Sequence, residues 1–391
     1  MNTEPKLRAG LAQRALPAAL VTLAALLAML FAIGWPLRVR VDSPRLGSPW
    51  IDGPQARMTI RLASSIPLLL PHMTLSLEGP SGTAGLSVTA HHWDGEDAVL
   101  SVNLPDLPDG AYGLRVQTRT QNLLLPKAVF LRRSWPRLLH LVQVGDLPPP
   151  GREPMMGRFI AAMQQRKPDA VLVTGDINYG GSEANIDYIY SQLEMLDVPV
   201  IIAPGNHERE AWHRYLRLFG ARDHRTDFGP LAILSLDSAH GRDALTASAF
   251  AWLRSQLQSL AGRTVIIQVH HPLFPPGSSA NSESGGTGGY LRGYRRAFLE
   301  LCRQYQVPLV LSGHWHQDAV FDSSGQFRTD RNDFAGTKFV VTTALGAEAR
   351  EVYEQSPVRN GYRWLEFVDG KLGIYSTDAH NPVPSTAMDP P

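Results

Sequence analysis

The chain runs to 391 residues, balances 37 Lys and Arg against 36 Asp and Glu for a net charge of +1, and is 43% hydrophobic. That length holds two domains and a terminal extension, and a near-neutral charge spread along the chain leaves no electrostatic footprint for nucleic acid, so no nucleic-acid-binding surface is expected. With a single cysteine, Cys302, no intrachain disulfide framework can form.

Lys6, Arg8 and Arg14 precede an uncharged apolar run from Ala15 to Trp35. About twenty residues at helical rise cross a bilayer core of roughly 30 Å, so residues 1–37 read as a transmembrane signal anchor or a long signal peptide. Arg38, Arg40 and Arg45 follow the run, so basic residues on the two sides do not fix its orientation. A short basic leader before an apolar stretch is the export layout, and Ala32-Ile33-Gly34 is a weak cleavage site. The expectation is a membrane-anchored protein with its catalytic part outside the cytoplasm, periplasmic or extracellular.

Residues 38–135 alternate apolar and polar side chains in short stretches, Arg57 to Leu62, Met73 to Leu77, Leu86 to Ala90, Ala98 to Val102 and Tyr112 to Thr118, separated by turn clusters such as Gly79-Pro80-Ser81-Gly82 and Pro108-Asp109-Gly110. This pattern predicts an all-β sandwich. It carries no catalytic constellation, and a boundary is expected near Ser134 to Arg137.

From residue 136 to 380 the texture changes. Apolar runs at Leu138 to Val144, Ala170 to Val173 and Val198 to Ala203 lead into Asp146, Asp176 and Asn206 at intervals of about thirty residues, the size of one βαβ unit. Helical patterns lie between them, Met155 to Gln165 and Ala184 to Leu196, which predicts an α/β domain with buried parallel strands. Arg263 to Val269 runs into His270-His271-Pro272, and Val307 to Leu311 into Gly313-His314-Trp315-His316. Every candidate ligand is thereby expected at the carboxyl ends of strands, on one rim of one sheet, where open α/β sheets bind ligands. Two carboxylates, an amide, a phenol and three imidazoles make an oxygen and nitrogen set suited to iron, manganese or zinc. Enough ligands for two metal ions points to hydrolysis of phosphate esters.

These five stretches, Asp146-Leu147-Pro148, Gly175-Asp176-Ile177-Asn178-Tyr179, Gly205-Asn206-His207-Glu208, His270-His271-Pro272 and Gly313-His314-Trp315-His316, resemble those of the calcineurin-like metallophosphoesterases, and among them most the purple acid phosphatases. Most of that superfamily has Asp-x-His at the first motif, where this chain has Pro148; purple acid phosphatases complete the same metal with a tyrosine three residues after the second aspartate, here Tyr179. The resemblance implies an α-β-β-α catalytic sandwich preceded by a fibronectin- or immunoglobulin-like domain. It also implies Asp146, Tyr179 and His316 on a ferric ion, Asn206, His270 and His314 on a divalent ion (iron, zinc or manganese), Asp176 bridging both, and His207 as general acid. A phenolate in place of an imidazole adds negative charge around the first metal and favours the trivalent ion. His270 rather than His271 is the ligand because the family places it two residues before the proline.

The activity so implied is hydrolysis of phosphate monoesters by metal-bound hydroxide, with His207 protonating the departing oxygen. A phosphodiesterase acting on nucleotide or lipid headgroup substrates uses the same core, and a non-catalytic, metal-stabilised adhesion protein is the alternative of another class. The Gly- and Ser-rich stretch Pro275 to Gly289 leaves from the same rim and is expected to shape substrate choice. His240, Arg328 and Arg331 are further candidates for reaching an anionic substrate. Cys302 lies in a helical pattern, Tyr290 to Tyr305, as a small buried hydrophobe, and residues 381–391 form a tail.

Overall fold

The computed structural model describes residues 39–53, 56–63, 73–95, 97–179, 181–239, 245–274, 291, 293–328, 335–346, 360–372 and 380–382. The apolar run at residues 15–35, the Gly- and Ser-rich stretch at 275–289, His240 and Arg331 lie outside them. Among the described residues no helix is long and apolar enough to cross a membrane.

The amino-terminal third is all β. Strands β1 (Arg40–Ser43), β2 (Trp50–Asp52), β3 (Arg57–Ala63), β4 (Thr74–Gly79), β5 (Gly82–Asp94), β6 (Asp97–Asn103), β7 (Gly110–Gln117) and β8 (Asn122–Leu131) pair in the order β1-β3-β6-β5-β4-β7-β8-β2. β5 pairs with β4 over Gly82 to Leu86 and with β6 from Ser87 onward, so one long strand serves both halves of the array. The inward positions, among them Val41, Met58, Ile60, Leu77, Leu100, Val102, Leu114 and Val129, form a separate core. That period-two burial is the alternation visible in the sequence.

Twelve strands and five α-helices follow: β9 (Leu138–Val144), α1 (Glu153–Arg166), β10 (Ala170–Val173), α2 (Glu183–Glu194), β11 (Val200–Ile202), α3 (Trp212–Leu218), β12 (His224–Phe228), β13 (Leu231–Leu236), α4 (Ala247–Ser259), β14 (Thr264–Val269), α5 (Arg295–Gln304), β15 (Leu309–Ser312), β16 (Ala319–Phe321), β17 (Lys338–Val341), β18 (Gly361–Val368), β19 (Lys371–Leu372) and β20 (His380–Pro382). They build two sheets, β11-β10-β9-β18-β19 with β20 on β18, and β12-β13-β14-β15-β17-β16. The two sheets share a core of Leu139, Leu141, Leu172, Ile201, Ile233, Ile266, Leu309, Leu311 and Val340. A second core lies between the first sheet and α1 to α3, and a third between the second sheet and α4 and α5. The result is the α-β-β-α sandwich implied by the resemblance.

The expectation of a single sheet is corrected here. Strands β9 to β11 and strands β14 and β15 are apolar on both faces in either arrangement, because each is covered by helices outside and by the opposite sheet inside. The antiparallel β12–β13 pair opens the second sheet, and nothing in the hydrophobic pattern of β14 marks the change. The last strand, β20, spans the boundary placed after residue 380 by pairing Gly361 with Pro382.

Helix ends follow their local chemistry. α1 begins with Pro154 in its first turn and ends on Lys167 in the left-handed conformation, its N–H on the Met163 carbonyl. The Ser182 hydroxyl accepts the Asn185 N–H at 3.1 Å at the start of α2, and Thr246 accepts the Ala249 N–H at 3.0 Å at the start of α4; such caps contribute about 1 kcal/mol each.

The β region is fastened to the catalytic part. Ile202 N–H, on the edge of β11, donates to the Gly47 carbonyl at 2.8 Å, and Ser48 Oγ donates to the Phe219 carbonyl at 3.1 Å. The buried Arg45 guanidinium donates to the Val41 and Arg217 carbonyls. Lys127 Nζ caps the Leu196 carbonyl at 3.0 Å, and Arg132 pairs with Asp169 at 2.7 Å.

Candidate metal centre

Five strand ends deliver the site. Asp146 follows β9, Asp176 follows β10, Asn206 and His207 follow β11, His270 follows β14, and His314 and His316 follow β15. The ligands come from the rims of both sheets, brought together at the carboxyl ends of their parallel strands. Two buried polar contacts tie those rims: Gln143 of β9 donates to the Ser312 carbonyl of β15 at 2.9 Å, and Arg363 of β18 pairs with Asp318 two residues beyond His316.

Side chains converge around Asp176. His270 Nε2 lies 3.2 Å from Asp176 Oδ2, 3.2 Å from Asn206 Oδ1 and 3.1 Å from His314 Nδ1. On the other side, His316 Nε2 lies 3.2 Å from Asp146 Oδ1, while Asp146 Oδ2 accepts the His314 backbone N–H at 3.0 Å. Donor atoms of Asp146, Asp176 and His270 all fall within 4.8 Å of one another. His270 Nε2 thus faces two oxygens and a second imidazole at once. One proton cannot serve that whole set, whereas a cation can, so the residues fit a metal ion. Nδ1 of His270 donates to the Thr174 carbonyl at 2.8 Å, the outer hydrogen bond that metal-ligating histidines commonly make.

Tyr179 and His207 complete the group. The Tyr179 ring centroid is 5.6 Å from that of His316 and 4.4 Å from that of His207. His207 donates its backbone N–H to Asp176 Oδ1 at 3.0 Å, and its Nε2 stands 3.8 Å from Asp176 Oδ2. With a side chain 32% exposed against 0% for His270 and 3% for His316, it faces the open side of the site. Pro148 is buried against Gly346: a Cβ added at Gly346 would come within 2.4 Å of its ring, so the position where the superfamily has histidine is packed against a turn.

The charges reinforce one another. Burial opposes ionisation of Asp176, yet the neighbouring His270 and His207 hold its carboxyl well below the usual carboxylate range. Burial would lower His270, but Asp176 and, further off, Asp146 push it up to about 9. A metal-free site therefore holds a proton on His270 that a cation must displace.

Backbone strain is concentrated here. Of nine non-glycine residues with positive φ among the described residues, four are ligand candidates, Asp146 at 51°, Asp176 at 53°, His314 at 71° and His316 at 57°. Such conformations cost of order 1–3 kcal/mol each and persist where the surroundings over-determine them. Gly205 shows why the motif needs glycine: a Cβ there would lie 2.2 Å from Asp176 Oδ1.

Glu208 is the residue whose role sequence reasoning missed, although it closes the Gly205-Asn206-His207-Glu208 motif. Its buried carboxylate accepts the backbone N–H of Asn178 at 2.9 Å, of Asp176 at 3.2 Å, and of Gly205. It locks the Asp176 loop to the Asn206 loop. Burial, then the charge of Asp176, raises its pKa to about 7. The remaining candidates fall away from the cluster or outside the described residues: Arg328 pairs with Asp322 at 3.4 Å, and Cys302 is a buried thiol pushed up by burial alone.

Residues 139–318 match the calcineurin-like phosphoesterase family. The chain is 29% identical over 164 residues to a probable glycerophosphodiester phosphodiesterase of Arcobacter nitrofigilis, covering 39% of this chain and 58% of that protein. It is 30% identical over 173 residues to a 3',5'-cyclic-nucleotide phosphodiesterase of Nostoc, covering 41% of this chain and 62% of that protein. The matched region thus spans less than two thirds of either relative. Among solved structures, purple acid phosphatase from yellow lupin seeds superposes with a TM-score of 0.53 at 15% identity, covering 84% of this chain and 69% of the lupin chain. The family segment contains every side chain of the cluster around Asp176, so the site lies wholly in the stretch that is similar to the calcineurin-like phosphoesterases, a family that uses a binuclear metal centre.

Proposed function

We propose that this protein hydrolyses phosphate esters with two metal ions. Asp146, Tyr179 and His316 would hold one, Asn206, His270 and His314 the other, and Asp176 both. The observation that carries this reading is the position of Asp176, whose carboxylate lies against His270 on one side and within 4.8 Å of the Asp146 donor on the other. When bound, the ions supply Lewis acidity and lower the pKa of an attacking water. The chain's own part is to hold the phosphoryl group over the rim and to move a proton. His207, the more exposed imidazole, is placed to protonate the leaving oxygen, and the Tyr179 ring, tilted against it with centroids 4.4 Å apart, restrains it.

Phosphodiesters are the first substrate class, because the curated relatives are named as glycerophosphodiester and cyclic-nucleotide phosphodiesterases. Phosphate monoesters are the second reading, favoured by the Pro148 and Tyr179 pattern of the purple acid phosphatases, which also implies a ferric ion beside a divalent one. Loading the purified chain with iron, zinc or manganese and comparing kcat/KM for a cyclic nucleotide, a glycerophosphodiester and an aryl phosphate monoester separates them. Faster diester cleavage supports the first class and faster monoester cleavage the second; no cleavage of any ester by metal-loaded protein would sink both.

We also propose that residues 15–35 anchor the chain with the catalytic part outside the cytoplasm, and that the fibronectin- or immunoglobulin-like β region sets its distance from the membrane. A reporter fused after Pro391 that works only in the cytoplasm would overturn that placement.

A further inference from the structure

Beside His270 stands a second fully buried histidine, His271. One of its nitrogens comes within 4.8 Å of donor nitrogens of His270 and His314, and its ring centroid is 4.4 Å from that of His314. Three imidazoles therefore converge where the proposed divalent site uses two. What distinguishes the neighbours is the hydrogen bond each makes at Nδ1. His270 Nδ1 is 2.8 Å from the Thr174 carbonyl. A carbonyl only accepts, so the proton sits on Nδ1 and the neutral ring presents its lone pair at Nε2, the nitrogen that faces Asn206, His314 and Asp176.

His271 is built the other way round. Its Nδ1 is 2.8 Å from Ser238 Oγ, and the same oxygen accepts the His271 backbone N–H at 3.1 Å. Ser238 is fully buried, and among the described residues these two atoms of His271 are its hydrogen-bond partners. A buried hydroxyl proton without an acceptor costs about 1–3 kcal/mol. The proton is therefore directed at Nδ1, which must be bare, and neutral His271 carries its own proton on Nε2. Neither nitrogen then has a lone pair to offer a cation. The arrangement is rigid, because Ser238 follows β13 and His271 follows β14, parallel neighbours with Leu236 opposite Val269.

We propose that Ser238 is a positioning residue that fixes the tautomer of His271, holding the divalent site to two imidazoles so that a coordination position stays open for a phosphoryl oxygen. Catalytic sites need such an open position, and a third imidazole would take it. The inference rests on the metal-centre reading above, but its first consequence is visible without metal.

The test has two arms. In chelator-treated full-length protein labelled with [15N]histidine, the signals lost in His271→Asn identify His271, and they are expected to report a protonated Nε2 and an acceptor Nδ1. Ser238→Thr keeps this pattern and Ser238→Ala loses it; a protonated Nδ1 in the wild type overturns the proposal. In the second arm, Co2+ probes the divalent site and inorganic phosphate the open position. Ser238→Ala is expected to weaken phosphate binding to the Co2+-loaded protein by about tenfold or more, a loss of about 1.4 kcal/mol. Removing the competing imidazole, in Ser238→Ala combined with His271→Asn, restores it, whereas a packing defect would not be repaired by a second truncation. Unchanged phosphate affinity in Ser238→Ala, or a loss the double variant does not recover, overturns the proposal. A wild-type chain that takes up no Co2+ strikes the metal-centre reading instead, and the metal-free tautomer still decides the role of Ser238.

Discussion

Around Asp176, the half of the site made by Asn206, His270 and His314 is drawn together at 3.1–3.2 Å and backed by the Thr174 carbonyl, whereas the half made by Asp146 and His316 sets those two residues 3.2 Å apart with the ring of Tyr179 beside them. The first is set by strand ends and fixed hydrogen bonds. The second depends on a half-buried side chain from the loop after β10, and Pro148, packed on Gly346, supplies no imidazole. One half of the centre is therefore prepared by the fold as a whole, and the character of the other turns on a single residue. Substitutions should separate the two.

The largest effect is expected where the halves meet. Asp176→Asn removes the shared charge and is predicted to lower kcat/KM for an aryl phosphodiester by more than the about 10²–10⁴-fold that a general acid supplies, with metal content falling from two ions toward one. An asparagine variant that retains two ions and most of its activity would show that the halves are independent. His207→Ala comes next. It is predicted to cost about 10²–10⁴-fold for esters with poor leaving groups and less for activated aryl esters, which need no proton. Equal losses for both kinds of ester would leave His207 as a phosphate-binding group only.

Tyr179→Phe sharpens the contrast most directly. It keeps the ring against His207 and removes the oxygen, so the half made by Asn206, His270 and His314 should be untouched while the half made by Asp146 and His316 loses affinity by about 10–100-fold, the scale seen when a supporting group around a metal is lost. If Tyr179 binds ferric iron as a phenolate, wild-type protein reconstituted with iron is violet to pink and the variant is colourless. A colourless wild type, fully active with two divalent ions, would remove the ferric assignment and leave the phosphoesterase reading standing.

The difference between the halves also marks what could be read in advance. Apolar runs ending in Asp146, Asp176, Asn206, His270 and His314 marked strand ends that the structure bears out, because buried parallel strands leave continuous hydrophobic stretches and their ends carry the polar residues. The division into two sheets was not legible, since a strand covered on both faces reads the same in one sheet or two. β1 and β2 span four and three residues, too few for a pattern, and Pro126 interrupts β8. Glu208, Ser238, and the Asp318 and Arg363 pair act through hydrogen bonds between segments remote in sequence, which periodicity does not carry. His271 was separated from His270 along the chain only by the family's placement of its ligand before the proline; the partners at their Nδ1 atoms distinguish them physically.

The last predicted effect, on stability rather than on activity, lies away from both halves, at the start of β12 near the docked amino-terminal segment, and separates acid loss of metal from acid loss of fold. Burial lowers the pKa of His224 from 6.5 to about 4, although Nδ1 lies 3.2 Å from the Ala221 carbonyl. The unfolded chain takes up this proton below pH 6.5 and the folded chain does not until about 4, so the contribution to stability is complete above 6.5 and is lost as pH falls across that window. Its neighbour Asp223 runs the opposite way: burial raises it from 3.8 to about 6, so its contribution is complete below 3.8 and is lost as pH rises through 6. Glu208, raised to about 7, has the same sign as Asp223. Two groups of that sign oppose His224, so the informative quantity is the difference between the wild type and His224→Gln. In chelator-treated protein, lowering pH from 7 to 4 should cost the wild type about 3 kcal/mol of stability relative to the variant, the linkage value of the His224 shift. His270, raised to about 9, contributes below 6.5 and loses that contribution only at higher pH, and Asp176 titrates below the acid end, so neither enters the window. Parallel melting temperatures for both proteins from pH 7 to 4 would show that His224 does not report folding, and that acid sensitivity belongs to the metal rim alone.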